Sequence, residues 1–202
     1  MSTVSDPGYW NNLYLANDVG WDQGRMAPPI ARMLEEGLHL AGRVAVLGAG
    51  RGHEAFALAE RGLQVTAVDF AEEAVKEIRS RARATKLSVA ALEADVFTLG
   101  QTHAGAFDAV LEHTCFCAVA PERRAEYAQV VRQILNPHGF YFGLFMLRVR
   151  SGEEGPPFPT EEGELRQLFA GAFELSHLKV APDSFPSRAG RELEFIFRRT
   201  LE

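Results

Sequence analysis

Residues 46–54 have the composition of a loop that brings backbone close to a bound ligand. Three glycines in GxGxG spacing follow an apolar run, and glycine permits close approach because it has no side chain. A dinucleotide fingerprint would need its third glycine at position 53, where this chain has His53, so the spacing is unfavourable for NAD. The spacing suits a small polar group such as an amino-acid carboxylate. We therefore predict that Gly48, Ala49 and Gly50 contact the methionine half of S-adenosylmethionine.

Acidic residues follow the next two apolar runs. Asp69 ends the run 65–69, 21 residues beyond Gly48, where a carboxylate can accept hydrogen bonds from both hydroxyls of a ribose. Its alternative role is to cap the helix that begins near position 72. Asp95 can accept from an adenine amino group, while its two neighbours pack on the ring. The predicted nucleoside site comprises Asp69, Phe70, Asp95, Val96 and Phe97.

A further apolar run, 107–112, ends in Glu112 and His113, the usual place for residues between a cofactor and its acceptor. His113 could orient the cofactor, take a proton from the acceptor as a catalytic base, or simply line the site. The cysteines at 115 and 117 are one residue apart, a spacing that suits neither a disulfide nor a zinc site, and they are expected to be buried small side chains. No metal site is predicted.

These residues require an alternation of strands and helices to position them. The final two strands are joined by a segment too short for a crossover helix, which predicts antiparallel pairing. Predicted strands span 44–47, 65–69, 88–93, 107–112, 140–147, 173–180 and 192–198, and predicted helices 27–37, 54–61, 72–85, 121–135 and 161–170. The pattern indicates an α/β, Rossmann-like three-layer sandwich whose mostly parallel sheet of about seven strands ends in an antiparallel pair. Residues 151–159, rich in Gly, Pro and Glu, form a candidate lid.

Composition limits the class of protein. The chain has 202 residues, 47% hydrophobic and 24% charged, as in an ordinary soluble domain, so a single domain over 1–202 is expected. The net charge of −6 argues against nucleic-acid binding, and no apolar stretch approaches the ~20 residues of a membrane span. Two cysteines without a disulfide spacing, and the absence of a leader-like start, favour the cytoplasm.

With these motifs in view, the chain resembles the thiopurine methyltransferase family, and more closely its halide and thiol methyltransferase branch. The resemblance spans about 9–198. The matching parts are Trp10-Asn11-Asn12-Leu13-Tyr14, the segment 20–25, the glycine loop, Asp69, the segment 93–97, Phe116-Cys117-Ala118 with Pro121-Glu122, and Gly155-Pro156-Pro157-Phe158.

The resemblance implies S-adenosylmethionine as the cofactor, S-adenosylhomocysteine as the product, and a small-molecule acceptor, with thiol, sulfide or halide favoured. It also implies that residues 1–40 cover the cofactor and that 41–202 form the core. Trp10, Tyr14 and Trp21 match three aromatic residues that enclose the cofactor in that branch. Tyr14 replaces a usual Trp, and Glu112-His113 stands where Asp-Tyr is usual, so the acceptor side differs.

Three other functions stay open. The same scaffold could methylate an oxygen, nitrogen or metalloid acceptor, or the protein could bind S-adenosylmethionine without catalysis; an NAD-dependent oxidoreductase is disfavoured by His53. Methyl transfer from a sulfonium is an in-line displacement that needs few catalytic residues. A monomer or weak homodimer is expected.

Overall fold

The structure is a computed structural model that describes residues 4–147 and 155–201. Its strands are β1 (Arg43–Leu47), β2 (Gln64–Asp69), β3 (Val89–Glu93), β4 (Phe107–His113), β5 (Leu135–Met146), β6 (Phe173–Val180) and β7 (Glu192–Arg199). Its α-helices are α1 (Pro7–Leu15), α2 (Pro28–Glu35), α3 (His53–Ala59), α4 (Glu72–Thr85), α5 (Leu99–Thr102), α6 (Arg124–Ile134) and α7 (Glu162–Phe169). Short 3-10 turns cover Val96–Thr98, Phe116–Ala118, Pro121–Arg123 and Pro186–Arg188.

The seven strands form one sheet in the order β3-β2-β1-β4-β5-β7-β6. Strand β7 is antiparallel to both of its neighbours, while the pairs from β3 to β5 are parallel. The predicted sheet, with its antiparallel end, is confirmed. The chain leaves β1 first toward β2 and β3 and later resumes on the other side at β4, so the order reverses between β1 and β4. Ligands of open α/β sheets bind beyond the carboxyl ends of the strands at such a point.

Strand β5 begins earlier than the sequence predicts. The segment 136–139, which contains Pro137 and Gly139, lies between the predicted helix 121–135 and the predicted strand 140–147. In the structure Leu135 already pairs with Phe107, whereas Phe140 pairs with Ala109. The residues between them bulge out, with His138 at φ 64. The bulge accommodates the turn residues without ending the strand.

Both faces of the sheet are covered by apolar side chains. On one face, α6 and α7 enclose an aromatic cluster in which the rings of Phe145 and Phe195 stack with centroids 4.0 Å apart. On the other, α2, α3 and α4 contribute Ile30, Phe56 and Ile78 to a second cluster. Two buried faces explain the nearly continuous apolar run in β5 and establish the three-layer sandwich.

The N-terminal segment lies over the carboxyl ends of the central strands. Helix α1 packs against α4, and the side-chain oxygen of Asn11 accepts a hydrogen bond from the Glu73 amide at 2.9 Å. Within the described residues, none of the helices is long and apolar enough to cross a membrane.

The candidate lid 151–159 lies partly outside the described residues, which omit 151–154. The end of this segment is attached to the core: the Phe158 amide donates to the Cys117 carbonyl at 2.6 Å, and the Thr160 amide donates to Met146 at 3.0 Å. The role of the segment as a lid stays a prediction.

Candidate active site

The glycine loop between β1 and α3 forms a backbone cradle. Gly48 has φ +58, and a Cβ built there would lie 2.8 Å from the Cβ of Cys115. The position therefore needs glycine both for its backbone conformation and for the close approach of the turn after β4. The Gly50 amide donates to Asp69 Oδ2 at 2.8 Å, which ties the loop to the end of β2.

Asp69 closes β2 with a carboxylate that is almost fully buried, the residue being 8% exposed. Its Oδ2 accepts from Gly50, and its Oδ1 accepts from the Ala71 amide at 2.9 Å. Burial raises the pKa of Asp69 despite these hydrogen bonds. A carboxylate has about four acceptor positions, and the Phe70 amide also acts on this one, so about one is left for a ligand. The N-cap of α4 is Ala71, so Asp69 is not the N-cap residue considered as its alternative role.

The turn after β3 supplies a mostly apolar wall. Asp95 Oδ1 accepts from the Phe97 amide at 3.0 Å and thereby caps the short turn that contains Val96. The guanidinium of Arg123 lies 3.4 Å from the centre of the Phe97 ring, on one side of that ring. A flat ligand with an exocyclic amino group would find one acceptor and two apolar surfaces here.

The three aromatic side chains that the resemblance singles out in the N-terminal segment pack together. The ring of Trp21 lies 5.3 Å from Trp10 and 5.7 Å from Tyr14, both in edge-to-face contact. Burial, with the nearby charge of Asp69, raises the pKa of Tyr14, so the Tyr14 hydroxyl stays neutral. We call Trp10, Tyr14 and Trp21 the aromatic cover.

The cavity under the aromatic cover has a volume of about 110 Å³. Among the predicted cofactor residues, its lining includes Trp10, Tyr14, Trp21, Gly48, Asp69, Phe70, Asp95, Val96 and Phe97. A smaller recess of about 40 Å³ shares Tyr14, Trp21, Gly48 and Thr114 with it and also contacts Ala49, Gly50 and His113. The structure thus brings together all the predicted site residues except Glu112, which lines neither space.

Glu112 faces the opposite side of β4, where it holds the following turn. Its carboxyl accepts from the amides of Cys115 at 2.9 Å and Phe116 at 2.7 Å and from the hydroxyl of Tyr127. The residue is 1% exposed, and burial raises the pKa of Glu112 to about 7. This geometry gives Glu112 an indirect part in the site, since the turn it holds includes Thr114 and Cys115, which line the cavity.

His113 is engaged at both ring nitrogens. Its Nδ1 lies 2.8 Å from Glu54 Oε1, and its Nε2 lies 2.8 Å from Arg188 Nη1 and 3.6 Å from Glu192 Oε1. Burial lowers the pKa of His113, but the charge of Glu54 and hydrogen bonds to Glu192 and Glu54 outweigh it and raise the pKa to about 9. In this conformation neither nitrogen is available to take a proton from an acceptor.

The charge count explains the protonation of His113. Glu54 and Glu192 are two buried carboxylates, and Arg188 supplies one positive charge. A neutral imidazole could accept from Arg188 but would leave a net charge of −1, whereas a proton on His113 makes the group neutral. A buried net charge is expensive, which is why the two carboxylates raise the pKa of His113. The 2.8 Å contact of Nε2 with Arg188 Nη1 is a hydrogen bond only while Nε2 carries no proton, so on protonation the Nε2–H would turn from Arg188 toward Glu192. We call Glu54, His113, Arg188 and Glu192 the buried charge cluster.

Sequence reasoning missed three members of the buried charge cluster: Glu54, Arg188 and Glu192. They come from separate elements and have no common spacing that could have indicated their contact. Glu54 follows Gly52-His53 and Glu192 follows Gly190-Arg191, so neither stands out from a local apolar pattern. A second missed set fixes the loop before α2: Asp22 pairs with His53 at 2.9 Å and with Arg51 at 3.5 Å.

The cysteines are free thiols, with Cys117 buried and Cys115 partly buried. Burial, followed by the negative charge of Glu112, raises the pKa of Cys117 to about 12 and that of Cys115 well above its ordinary value. Neutral thiols are poor nucleophiles, so these side chains act as small packing groups. In the part of the chain that the structure describes, no three His, Cys, Asp or Glu residues are grouped to hold a metal ion.

The arrangement fits a nucleoside that carries an amino-acid tail. Asp69 has an unfilled acceptor position in a buried wall, the backbone of Gly48 lines the same cavity, and Phe97 provides an apolar face. These are the groups that a ribose, a small polar tail and a purine require.

Comparison with known proteins gives matches over nearly the whole chain. The model of the family described as thiopurine S-methyltransferase matches residues 5–198. Thiocyanate methyltransferase 1 of Arabidopsis thaliana is 28% identical, over 94% of this chain and 83% of the relative. The probable thiol methyltransferase 2 of the same plant is 32% identical, over 95% of this chain and 87% of the relative.

A solved structure shares the fold. It is the 1,6-didemethyltoxoflavin-N1-methyltransferase of Burkholderia thailandensis, which was crystallised with 1,6-didemethyltoxoflavin and S-adenosylhomocysteine. The TM-score is 0.74 at 24% identity, and the match covers 96% of this chain and 86% of that one.

Proposed function

This chain belongs to the thiopurine S-methyltransferase family and is an S-adenosylmethionine-dependent methyltransferase, and from that premise we propose that its methyl acceptor is a small sulfur nucleophile. Thiols, hydrosulfide and thiocyanate are the favoured acceptors, and halides come second. The names of two relatives, a thiocyanate and a probable thiol methyltransferase, support the sulfur assignment.

The observation that carries the proposal is the engagement of His113. This side chain is the candidate base on the acceptor side, yet both of its nitrogens are paired and its pKa is about 9. The acceptor must therefore bind in a form whose reacting atom carries no proton that a base has to remove. Thiocyanate and halides are anions without a proton to lose, and a thiol with a pKa of about 8.5 is partly ionised at neutral pH. An aliphatic alcohol or a protonated amine would need a base.

We assign the cofactor to the cavity under the aromatic cover. Asp69 would accept from the ribose, Asp95 with Val96 and Phe97 would hold the adenine, and the loop at Gly48 would hold the methionine half. The bound cofactor supplies a methyl group on a positively charged sulfur. The aromatic cover would attract that charge by about 0.5–2 kcal/mol through its ring faces and would keep water away from it.

On this proposal the protein contributes mainly position and exclusion of water. The recess next to Gly48 is also lined by Ala49 and Gly50, so on this proposal it would take the methionine end of the cofactor. Residues 1–40 would act as the cover of the site, because the rings of Trp10, Tyr14 and Trp21 lie over the cavity.

The acceptor proposal is tested by measuring S-adenosylhomocysteine and methylated product with hydrosulfide, a small aromatic thiol, thiocyanate, iodide, phenol and a primary amine. We expect the sulfur acceptors to give the largest kcat/KM. Between pH 6 and 8 the thiol rate should follow the ionised fraction of the thiol, while the thiocyanate rate should stay level. Faster methylation of phenol or the amine would contradict the proposal. So would a thiocyanate rate that changes with pH between 6 and 8, because that change would report the titration of a side chain of the protein.

A further inference from the structure

Arg188 contacts three separate parts of the fold from the connection between β6 and β7. Its Nη1 lies 3.1 Å from Glu192 Oε1 at the start of β7 and 2.8 Å from His113 Nε2 at the end of β4. Its Nη2 donates to the backbone carbonyl of Trp21 at 2.6 Å. The residue is 7% exposed, so these contacts are shielded from water.

Trp21 is the ring of the aromatic cover that touches both of the others, Trp10 and Tyr14. The position of its backbone therefore decides where the cover lies above the cavity. The guanidinium of Arg188 is planar and presents several donors in a fixed fork, so it can hold the Trp21 carbonyl and a carboxylate at once. A lysine at this position has a single ammonium group on a flexible stem.

The buried charge cluster links this contact to the rest of the site. Glu54 Oε1 accepts from His113 and also faces the Ala27 amide at 3.3 Å, just before α2. Removing Arg188 would take away the guanidinium that faces the buried Glu192 carboxylate, so the contacts of the cluster would rearrange. Displacing Arg188 would thus disturb both the cover and the end of β4.

Other contacts also attach the segment around Trp21. On the side of the β6–β7 connection, the Ser187 hydroxyl donates to Gln23 Oε1 at 3.3 Å, and the Arg25 guanidinium lies 5.4 Å from the centre of the Phe185 ring. Asp22 pairs with His53, and Asn17 accepts from Arg51 at 2.8 Å, both on the side of the glycine loop. Arg188 differs from these contacts because it holds the backbone carbonyl of Trp21 itself.

We propose that Arg188 is a positioning residue for methyl transfer, whose guanidinium fixes the backbone of Trp21 over the cavity and joins the aromatic cover to the end of β4. This inference rests on the proposed assignment of the cavity to cofactor and acceptor. Arg188 acts through Trp21 and His113.

The test compares Arg188→Lys and Arg188→Met with the control Arg166→Met, which removes an exposed guanidinium from the Glu162 pair on α7. The chain has two tryptophans, both in the aromatic cover. Acrylamide quenching in a Trp10→Phe background therefore reports on Trp21 alone. Binding of S-adenosylhomocysteine, kcat and KM for thiocyanate, and thermal unfolding are measured in the parent background.

Arg188→Lys keeps a positive charge near Glu192 and is the variant expected to fold. We expect both Arg188 variants to increase quenching of Trp21 at least twofold and to weaken S-adenosylhomocysteine binding about tenfold. The Lys variant should also lose about tenfold in kcat, with Arg166→Met unchanged in every readout. Failure of both Arg188 variants to fold, or wild-type quenching and binding in the folded Lys variant, would overturn the inference, since either result assigns Arg188 to stability alone.

The readouts separate this inference from the proposed function. If no sulfur acceptor is methylated by the wild-type protein, the acceptor proposal fails, while quenching and S-adenosylhomocysteine binding still decide whether Arg188 sets the position of Trp21.

Discussion

Replacing Asp69 by Asn tests the assignment of the ribose to the end of β2. The substitution keeps the shape of the side chain but replaces one carboxylate oxygen with an NH₂ group. Oδ1 can still accept from Ala71, but the amide group then meets the Gly50 N–H donor to donor. Because burial already raises the pKa of Asp69, loss of the charge offsets part of that lost bond, and we expect the free energy of unfolding to fall by only about 1 kcal/mol.

The effect on binding should be larger. Hydrogen bonds to a charged acceptor contribute about 1.5–3 kcal/mol, and the Asn variant offers the ribose no charged acceptor. Since 1.4 kcal/mol is a factor of ten, the Kd for S-adenosylhomocysteine should rise about 10- to 150-fold.

Titration calorimetry with S-adenosylhomocysteine measures the Kd, and urea unfolding verifies that the variant is folded. The matched control is Glu93→Gln, one strand away, whose carboxylate is half exposed and pairs with Arg79 at 3.6 Å. The control should bind like the wild type. A folded Asp69→Asn protein with a Kd within about threefold of wild type would refute the ribose assignment.

Three further predictions concern the loop and the buried charges. Gly48→Ala places a Cβ 2.8 Å from Cys115 at a positive φ. It should therefore lower the free energy of unfolding by about 1–3 kcal/mol in urea titrations and weaken cofactor binding. A wild-type free energy of unfolding together with wild-type binding would contradict the close approach of Gly48 and Cys115. The pKa of His113 rises from 6.5 to about 9 on folding, so the protonation of His113 should stabilise the fold by an amount on the order of 3 kcal/mol. This stabilisation should be complete below pH 6.5 and lost as the pH rises to 9. Urea unfolding of the wild type and of His113→Gln at several pH values measures it, and an equal pH dependence of the two proteins would count against the prediction. The pKa of Glu112 rises to about 7, so ionising this carboxyl opposes folding, and the free energy of unfolding should fall as the pH rises from 4.5 to 7. The amide of Glu112→Gln can still bond the turn and Tyr127, so this variant should show a smaller fall. An unchanged pH dependence in the variant would refute the attribution of the fall to Glu112.

The sheet and most of the cavity wall could be predicted because their signals are local. Each parallel strand ends at the same edge of the sheet, so Gly48, Asp69 and Asp95 converge once the strands are identified. Glycine spacing and the position of an acid after an apolar run are both read within a few residues. The aromatic cover came from the family resemblance, since neither periodicity nor spacing places α1 over the cavity.

Pairing across the chain could not be predicted in the same way. His113 contacts Arg188, 75 residues later, and Glu54, 59 residues earlier, and none of these positions carries a local pattern. The sequence predicts a contact with the cofactor for both Glu112 and His113, although neighbouring residues of a strand point to opposite faces. The alternation of side chains along β4 was therefore a usable signal that Glu112 faces Tyr127 instead of the cavity.

The early start of β5 has a similar explanation. Pro137 and Gly139 usually mark a turn, and the segment does turn outward. Leu135 nevertheless pairs with Phe107, because Leu135 is fully buried and Asn136 donates to Asp108 at 2.6 Å across the two strands. Tertiary contacts therefore extend the strand beyond the residues that locally interrupt it.

The central claim is that this protein transfers the methyl group of S-adenosylmethionine to a small sulfur nucleophile. It is tested most directly by incubating the purified protein with carbon-13-methyl S-adenosylmethionine and either thiocyanate or a small aromatic thiol, and following the label by NMR. The account predicts a labelled S-methyl product formed one-to-one with S-adenosylhomocysteine. Tight binding of the cofactor with the label remaining on it for every sulfur acceptor would contradict the claim.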